Sequence, residues 1–475
     1  MITCKLHYKA STYMLISQHY MDDKPASLGS RVNTFLLVTC YLLLFLGSSS
    51  ARAVTVTSGP ALSMDPGGLT PLAGVVQFET DMPARVTLAV SDGKETRTIE
   101  FAEYKTDFSL PLLGLKPDRN YTIEVILTDL NNQQSTLTPA LKATTAPLPD
   151  DFPEIKVLVS KPALMEPGYT MMARFIPAGG NREVTLAGYS TGLTKQKLRE
   201  WMCWAISWAT ECEPESKTTY TIIVDSAGDV VWYSTLGDTT NYQLEDGSLL
   251  YRTKNDVINI DMLGNEISHV TMKDPGIGLT HDMYPTTNQT YLSITIQQVM
   301  IQDYPTSYTD PDAERKPAKV EDNPIVEFDH EGNLLHIWPL VDMLDTGRIN
   351  YHSLVVRPDG DGYDWVHGNA VINDPRDDSI IISLRHQDAV VKFSRSTGEL
   401  KWILGPHANW SQKFQPFLLK PVGEPFEWQY HQHSPVITPA GTLLLFDNGN
   451  YRARPFDGFS ATTAGKVSLG RIGLN

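Results

Sequence analysis

From about residue 160 onward the chain repeats one pattern: an apolar strand, an Asp-x-x-Gly turn and a second apolar strand that often ends in an aromatic. Residues 220–232 carry the clearest copy, with Asp225 and Gly228 in the turn. Residues 257–264 and 325–335 repeat it, and 390–402 give a looser version turning at Gly398. A different hairpin precedes three of these copies, at 243–250, 284–296 and 371–383. Two hairpins make a four-stranded unit, and repeated units of that kind predict an all-β propeller over residues 154–475. One large sandwich would not require the alternation. The turn aspartates read as turn formers.

The hairpin count does not close. The hairpin at 220–232 has no inner partner before it, that at 435–446 has no outer one after it, and 459–475 show no strand pattern. Unsealed edges are a liability, so the propeller reads as cut short at its C-terminus. Two stretches, 297–324 and 404–430, read as Pro-rich polar insertions, and 195–209, with three tryptophans, as a short amphipathic helix.

Residues 54–148 hold short strand-like runs and the segment Leu113-Gly114-Leu115-Lys116-Pro117-x-x-x-Tyr121, which resembles a tyrosine corner. A small β-sandwich is expected there, linked onward through Pro147, Pro149 and Pro153. Ahead of it, Arg31, the apolar run 35–46 and Ala51-Arg52-Ala53 have the form of a cleaved export signal, within a leader of residues 1–53 whose start is long and mixed. Cleavage would leave Cys203 and Cys212, which in an exported chain suggest one disulfide. A periplasmic protein with no membrane insertion after cleavage is expected. A disulfide-forming oxidase and a second copy in a homodimer would be its protein partners.

Lys plus Arg number 39 against 55 Asp plus Glu, for a net charge of −16. With no basic stripe, nucleic acid is excluded as a partner. An anionic substrate would need a locally positive cavity.

Such a cavity has candidates. His281, His367, Arg385 and His433 each follow or end a strand-like run of the repeat. Three imidazoles and a guanidinium suit chemistry on an anionic ester, with nitrogen as nucleophile and acid and a fixed cation for the oxygens. Each also has a structural reading, and Arg385 could simply pair with Asp377 or Asp378. His431 and His433, two apart on a strand, would point the same way and could hold a metal. No ligand recurs elsewhere at fixed spacing, so neither metal nor cofactor is expected. His330, His336, His352, His386 and His407 lack a matched context and read as structural.

Four stretches, 364–371, 377–390, 401–405 and Gln432-His433 with Phe446-Asp447-Asn448-Gly449, resemble the bacterial arylsulfate sulfotransferases that work without a nucleotide donor. The resemblance implies a six-bladed propeller behind an N-terminal sandwich. It also implies transfer of a sulfuryl group from an aryl sulfate to a phenolic acceptor. On this reading His433 is the transiently sulfated histidine, and His281, His367, Asn369 and Arg385 surround the sulfate. The alternatives are an aryl sulfate hydrolase, or a non-catalytic, truncated propeller.

Overall fold

The computed structural model describes residues 53–165, 167–175, 219–236, 242–308, 310, 312–350, 352–356, 362–423, 426–450 and 468–473. The leader, Cys203 with Cys212 and the expected helix at 195–209 lie outside the described residues. What is described is nearly all β, as expected. The α-helical exception is the single turn Leu340–Met343. No helix among the described residues is long and apolar enough to cross a membrane.

Near the N-terminus six strands, Val56–Met64, Gly74–Ser91, Thr96–Leu112, Asn120–Thr128, Gln134–Thr136 and Leu141–Thr144, share one sheet. Gly74–Ser91 pairs through its first half with Val56–Met64 and through its second with Asn120–Thr128, across a register break after Glu79. Thr96–Leu112 accompanies both halves. The layers of the expected sandwich are thereby joined into one curled sheet. Its core holds Val86, Leu88, Val90, Ile123, Val125 and Leu127, set at the two-residue period of strands. The tyrosine corner forms, for the Lys116 backbone N–H donates to Tyr121 Oη at 2.8 Å.

Five further sheets follow one another along the chain in propeller fashion. Blade 1 comprises Thr170–Phe175, Tyr220–Val224 and Val230–Ser234; blade 2 comprises Tyr242–Gln243, Leu249–Arg252, Asp256–Ile260 and Glu266–Thr271. Blade 3 is Leu279–Pro285, Tyr291–Thr295, Ile325–Phe328 and Leu334–Trp338, and blade 4 is Gly368–Asp374, Ser379–Leu384, Ala389–Ser394 and Leu400–Leu404. Blade 5 contains His433–Ile437, Thr442–Asp447 and Ser468–Gly473. The first strand of blade 4 lies against the first strands of blades 3 and 5. Blade 4 is enclosed on both sides, and Ser379–Leu384 is buried at every position. That explains its unbroken Ile380-Ile381-Ile382.

The turns explain the repeat. Asp225, Asp261 and Asp329 each accept two backbone N–H bonds through Oδ1, from the residues two and four positions on, at 2.8 to 3.0 Å. The glycine in the fourth place takes a positive φ each time (+89°, +82° and +79° at Gly228, Gly264 and Gly332). The aspartates are turn formers.

Two expectations need correction, and one insertion takes a defined form. The hairpin at 220–232 does have a partner, because Thr170–Phe175 pairs with Tyr220–Val224. The C-terminal stretch contains a strand, Ser468–Gly473, on Thr442–Asp447. Both strands are short or glycine-interrupted, which hides their alternation. The insertion at 297–324 is ordered as the hairpin Gln297–Tyr304 with Lys316–Asp322, and Tyr363–Asp364 adds to it in parallel. That parallel pairing delivers Asp364 to the site described next.

Candidate active site

Blade 4 sets the site. The backbone N–H of Arg385 donates to the His367 carbonyl at 3.1 Å, and that of His386 to the Val366 carbonyl at 3.0 Å. These bonds continue the pairing of Gly368–Asp374 with Ser379–Leu384 beyond both strands. His367 and Arg385, distant in sequence, are therefore opposite one another at one end of the hairpin. Asp377 and Asp378 lie at the other end and belong to Lys392 and Lys401 (each 2.9 Å) and to Arg395 (3.4 Å). The simple pairing considered for Arg385 does not occur.

Blade 3 contributes His281 from a bulge in its first strand, where the register jumps from Thr280 to Met283. Its ring meets that of His367 edge to face, 4.9 Å between centroids. Next to it, Asp282 accepts the backbone N–H bonds of Met283 and of Val371 in blade 4, both at 3.0 Å. Burial pushes this carboxyl up to about 6. Burial, then the charge of His367, holds His281 down at about 4, so it is neutral at pH 7.

Blade 5 brings in His433. Its Nδ1 lies 3.1 Å from both the His431 carbonyl and Asn448 Oδ1, which are acceptors. The ring proton therefore sits on Nδ1, and Nε2 keeps the lone pair. Burial, followed by the positive charge of Arg385, lowers His433 to about 4. The structure thus brings His281 and His433 within reach of the charge of His367, and His433 within reach of that of Arg385. Asn369 is there too, buried, with its amide on the Gln432 carbonyl at 2.8 Å.

Two histidines assigned above to structural roles belong to the same cluster. Arg385 Nη1 lies 2.7 Å from His386 Nε2 and 3.5 Å from His352 Nδ1. His386 Nδ1 is held 2.7 Å from the Asp364 carbonyl, so its Nε2 faces the guanidinium as an acceptor. Asp364 Oδ2 also lies 2.6 Å from His367 Nδ1, fixing the tautomer that leaves His367 Nε2 for chemistry. Burial, then neighbouring positive charge, lowers His352 to about 3, and burial drives His386 well below its usual value. His431 does not share a face with His433. It precedes the strand at a φ of +54° and turns to His352, with 3.0 Å between His431 Nε2 and His352 Nδ1. His386 adjoins Arg385 in sequence, a signal that was available; His352 arrives on a loop with none.

Behind the cluster Arg348, buried, donates to the Gln387 carbonyl at 2.6 Å and stacks 4.3 Å from the centre of the Trp410 ring. It braces the turn that presents Arg385. Desolvation lowers it to about 10, and it stays charged.

These features define a β-propeller with a histidine and arginine cluster where blades 3, 4 and 5 meet. The chain belongs to the arylsulfotransferase family, whose model "Arylsulfotransferase (ASST)" matches residues 164–468, while "Arylsulfotransferase Ig-like domain" matches residues 61–146. It is similar to the arylsulfate sulfotransferase AssT of Escherichia coli O6:H1 (strain CFT073), 33% identical over 172 residues, covering 27% of this chain and 28% of that protein. AssT of Lelliottia amnigena is 31% identical over 172 residues, with the same coverage of 27% and 28%. The matched stretch thus spans little more than a quarter of these curated relatives. A solved Bacteroides thetaiotaomicron VPI-5482 protein of unknown function overlaps 84% of this chain and 82% of its own, at 9% identity and a TM-score of 0.29.

Proposed function

We propose that the chain is an aryl sulfotransferase that moves a sulfuryl group from an aryl sulfate to a phenol through an N-sulfo intermediate on His433. The observation that carries this reading is the tautomer of His433. With Nδ1–H committed to the His431 carbonyl and Asn448, a neutral Nε2 lone pair stands beside a guanidinium suited to sulfate oxygens.

In the first displacement Nε2 attacks sulfur and the bond from sulfur to the aryl oxygen breaks. The electron pair leaves on that oxygen, which takes a proton from His367. In the second, the acceptor phenol gives its proton to His367, its oxygen attacks sulfur, and the N–S bond returns its pair to His433. His367 rather than His281 suits this role, because Asp364 Oδ2, 2.6 Å from its Nδ1, orients the ring and leaves Nε2 for the proton transfer. Arg385 holds the sulfuryl oxygens and neutral His281 donates to them. Asn369 acts by seating Gln432 beside the nucleophile. Positioning and charge stabilisation supply most of the acceleration, as in phosphoryl transfer. Export to the periplasm fits residues 31–53.

The test is incubation with a chromogenic aryl sulfate, with and without a phenol, followed by peptide mass analysis for sulfated His433. Transfer at full rate by His433→Ala would remove His433 as nucleophile. Free sulfate in place of a sulfated phenol would make the protein a hydrolase.

A further inference from the structure

We propose that His352, His386 and His431 form a site for a single divalent cation of the zinc class, filled in competition with the guanidinium of Arg385. One ring nitrogen from each histidine lies within 4.8 Å of the others. The three come from unrelated segments: the turn His352–Leu354, the turn Arg385–Gln387 and the approach to blade 5. His386 and His431 are buried.

Imidazoles that bind metals hold their other ring nitrogen on a carbonyl or carboxylate, which orients the ring and raises its basicity. His386 has that arrangement, and the Asp388 carboxylate stands close to the ring of His431. His386 Nδ1 lies 2.7 Å from the Asp364 carbonyl, and His431 Nδ1 lies 2.9 Å from Asp388 Oδ1. Asp388 is itself fixed by the His431 backbone N–H at 2.9 Å and the Asn350 amide at 3.2 Å. Three imidazole nitrogens suit zinc or cobalt better than magnesium or calcium.

A second group, Asp364, His367 and His386, also converges. Filling it would pull His386 Nδ1 from the Asp364 carbonyl and break the 2.6 Å contact between Asp364 and His367. The three-histidine group keeps both.

Arg385 Nη1, 2.7 Å from His386 Nε2 and 3.5 Å from His352 Nδ1, occupies the place the ion would take. Two cations cannot share it, so a bound ion displaces the guanidinium. If the transfer reading above holds, the ion is a brake on that reaction; the site itself does not depend on the reading.

The experiment is titration of the full chain with Co2+ at neutral pH, read by visible absorption and equilibrium dialysis, then displacement with Zn2+. A single Co2+ per chain with the intense band of a low-coordinate nitrogen site is expected. His352→Asn, checked for folding by circular dichroism, should lose the band. Arg385→Ala should bind about tenfold more tightly, a coupling of ordinary size between two sites. No cobalt band in the parent protein, an unchanged band in folded His352→Asn, or no tightening in Arg385→Ala would each overturn the proposal. If His352→Asn does not fold, the Arg385→Ala comparison decides, since a site elsewhere would not respond to that change.

Discussion

The side-chain amide of Asn369 donates to the main-chain carbonyl of Gln432 at 2.8 Å, joining blade 4 to the residue that precedes His433. Ser383 Oγ reaches the same carbonyl at 3.1 Å, and Gln432 Nε2 answers with a 2.9 Å bond to the Ala389 carbonyl. The seam between blades 4 and 5 is thus buried, polar and adjacent to the proposed nucleophile. Asn369→Ala should lower stability by about 1 kcal/mol, the net worth of one buried hydrogen bond. It should also lower turnover through misplacement of His433. Urea midpoints and transfer rates check both, and Ser383→Ala should show a smaller effect of the same kind.

Asp364 fixes the tautomer of His367 and carries the carbonyl that orients His386. Asp364→Asn keeps the shape and removes the charge. Transfer should fall by about 100-fold or more, in the range assigned to general acid–base catalysis. Donors with strongly acidic phenols, whose leaving groups need no proton, should be affected least. An equal loss for all donors would place Asp364 in a structural role.

Stability should fall in mild acid. His281 and His433 have folded values of about 4 and His352 of about 3, against 6.5 for the free side chain. Between those limits the unfolded chain binds protons that the folded chain does not, so stability rises with pH there. It is fully present above about 6.5, the ordinary histidine value, and is lost as pH falls toward 4. Melting temperatures across that window measure it. The triple variant His281→Gln, His352→Gln, His433→Gln should flatten the curve.

Gly332 has a φ of +79°, and a Cβ there would stand 1.9 Å from the Thr271 carbonyl oxygen of blade 2. Gly332→Ala should therefore destabilise the junction of blades 2 and 3 by roughly 1–3 kcal/mol. Chemical denaturation would show it, while Gly93→Ala, which meets no neighbour, should suffer only the backbone strain of its φ of +83°.

The blades were legible because their turns are chemically demanding: an aspartate that accepts two N–H bonds and a glycine at positive φ leave a spaced signature. The strands Thr170–Phe175 and Ser468–Gly473 carry no such turn and escaped notice. His281, His367, Arg385 and His433 stood out because each sits at a repeated place beside a strand. His352 and His386 did not, since His352 lies on a loop and His386 was overshadowed by Arg385. Asp364 reaches the cluster only through a parallel pairing with Val320 and Glu321, and no local pattern announces a partner that distant.

His281, His367 and His431 all adopt left-handed backbone, with φ of +54°, +49° and +54°. A residue with a β-carbon pays about 1–2 kcal/mol for that conformation, and glycine almost nothing. Backbone geometry alone would write glycine at all three places. Durability and imidazole chemistry thus make opposite demands on the same three positions, and the chain has sided with the imidazole each time. A protein carrying glycines there would be sturdier and would lack those three imidazoles, so breeding this fold for heat resistance by screening stability alone would remove the groups on which the proposed chemistry and the proposed cation site rest.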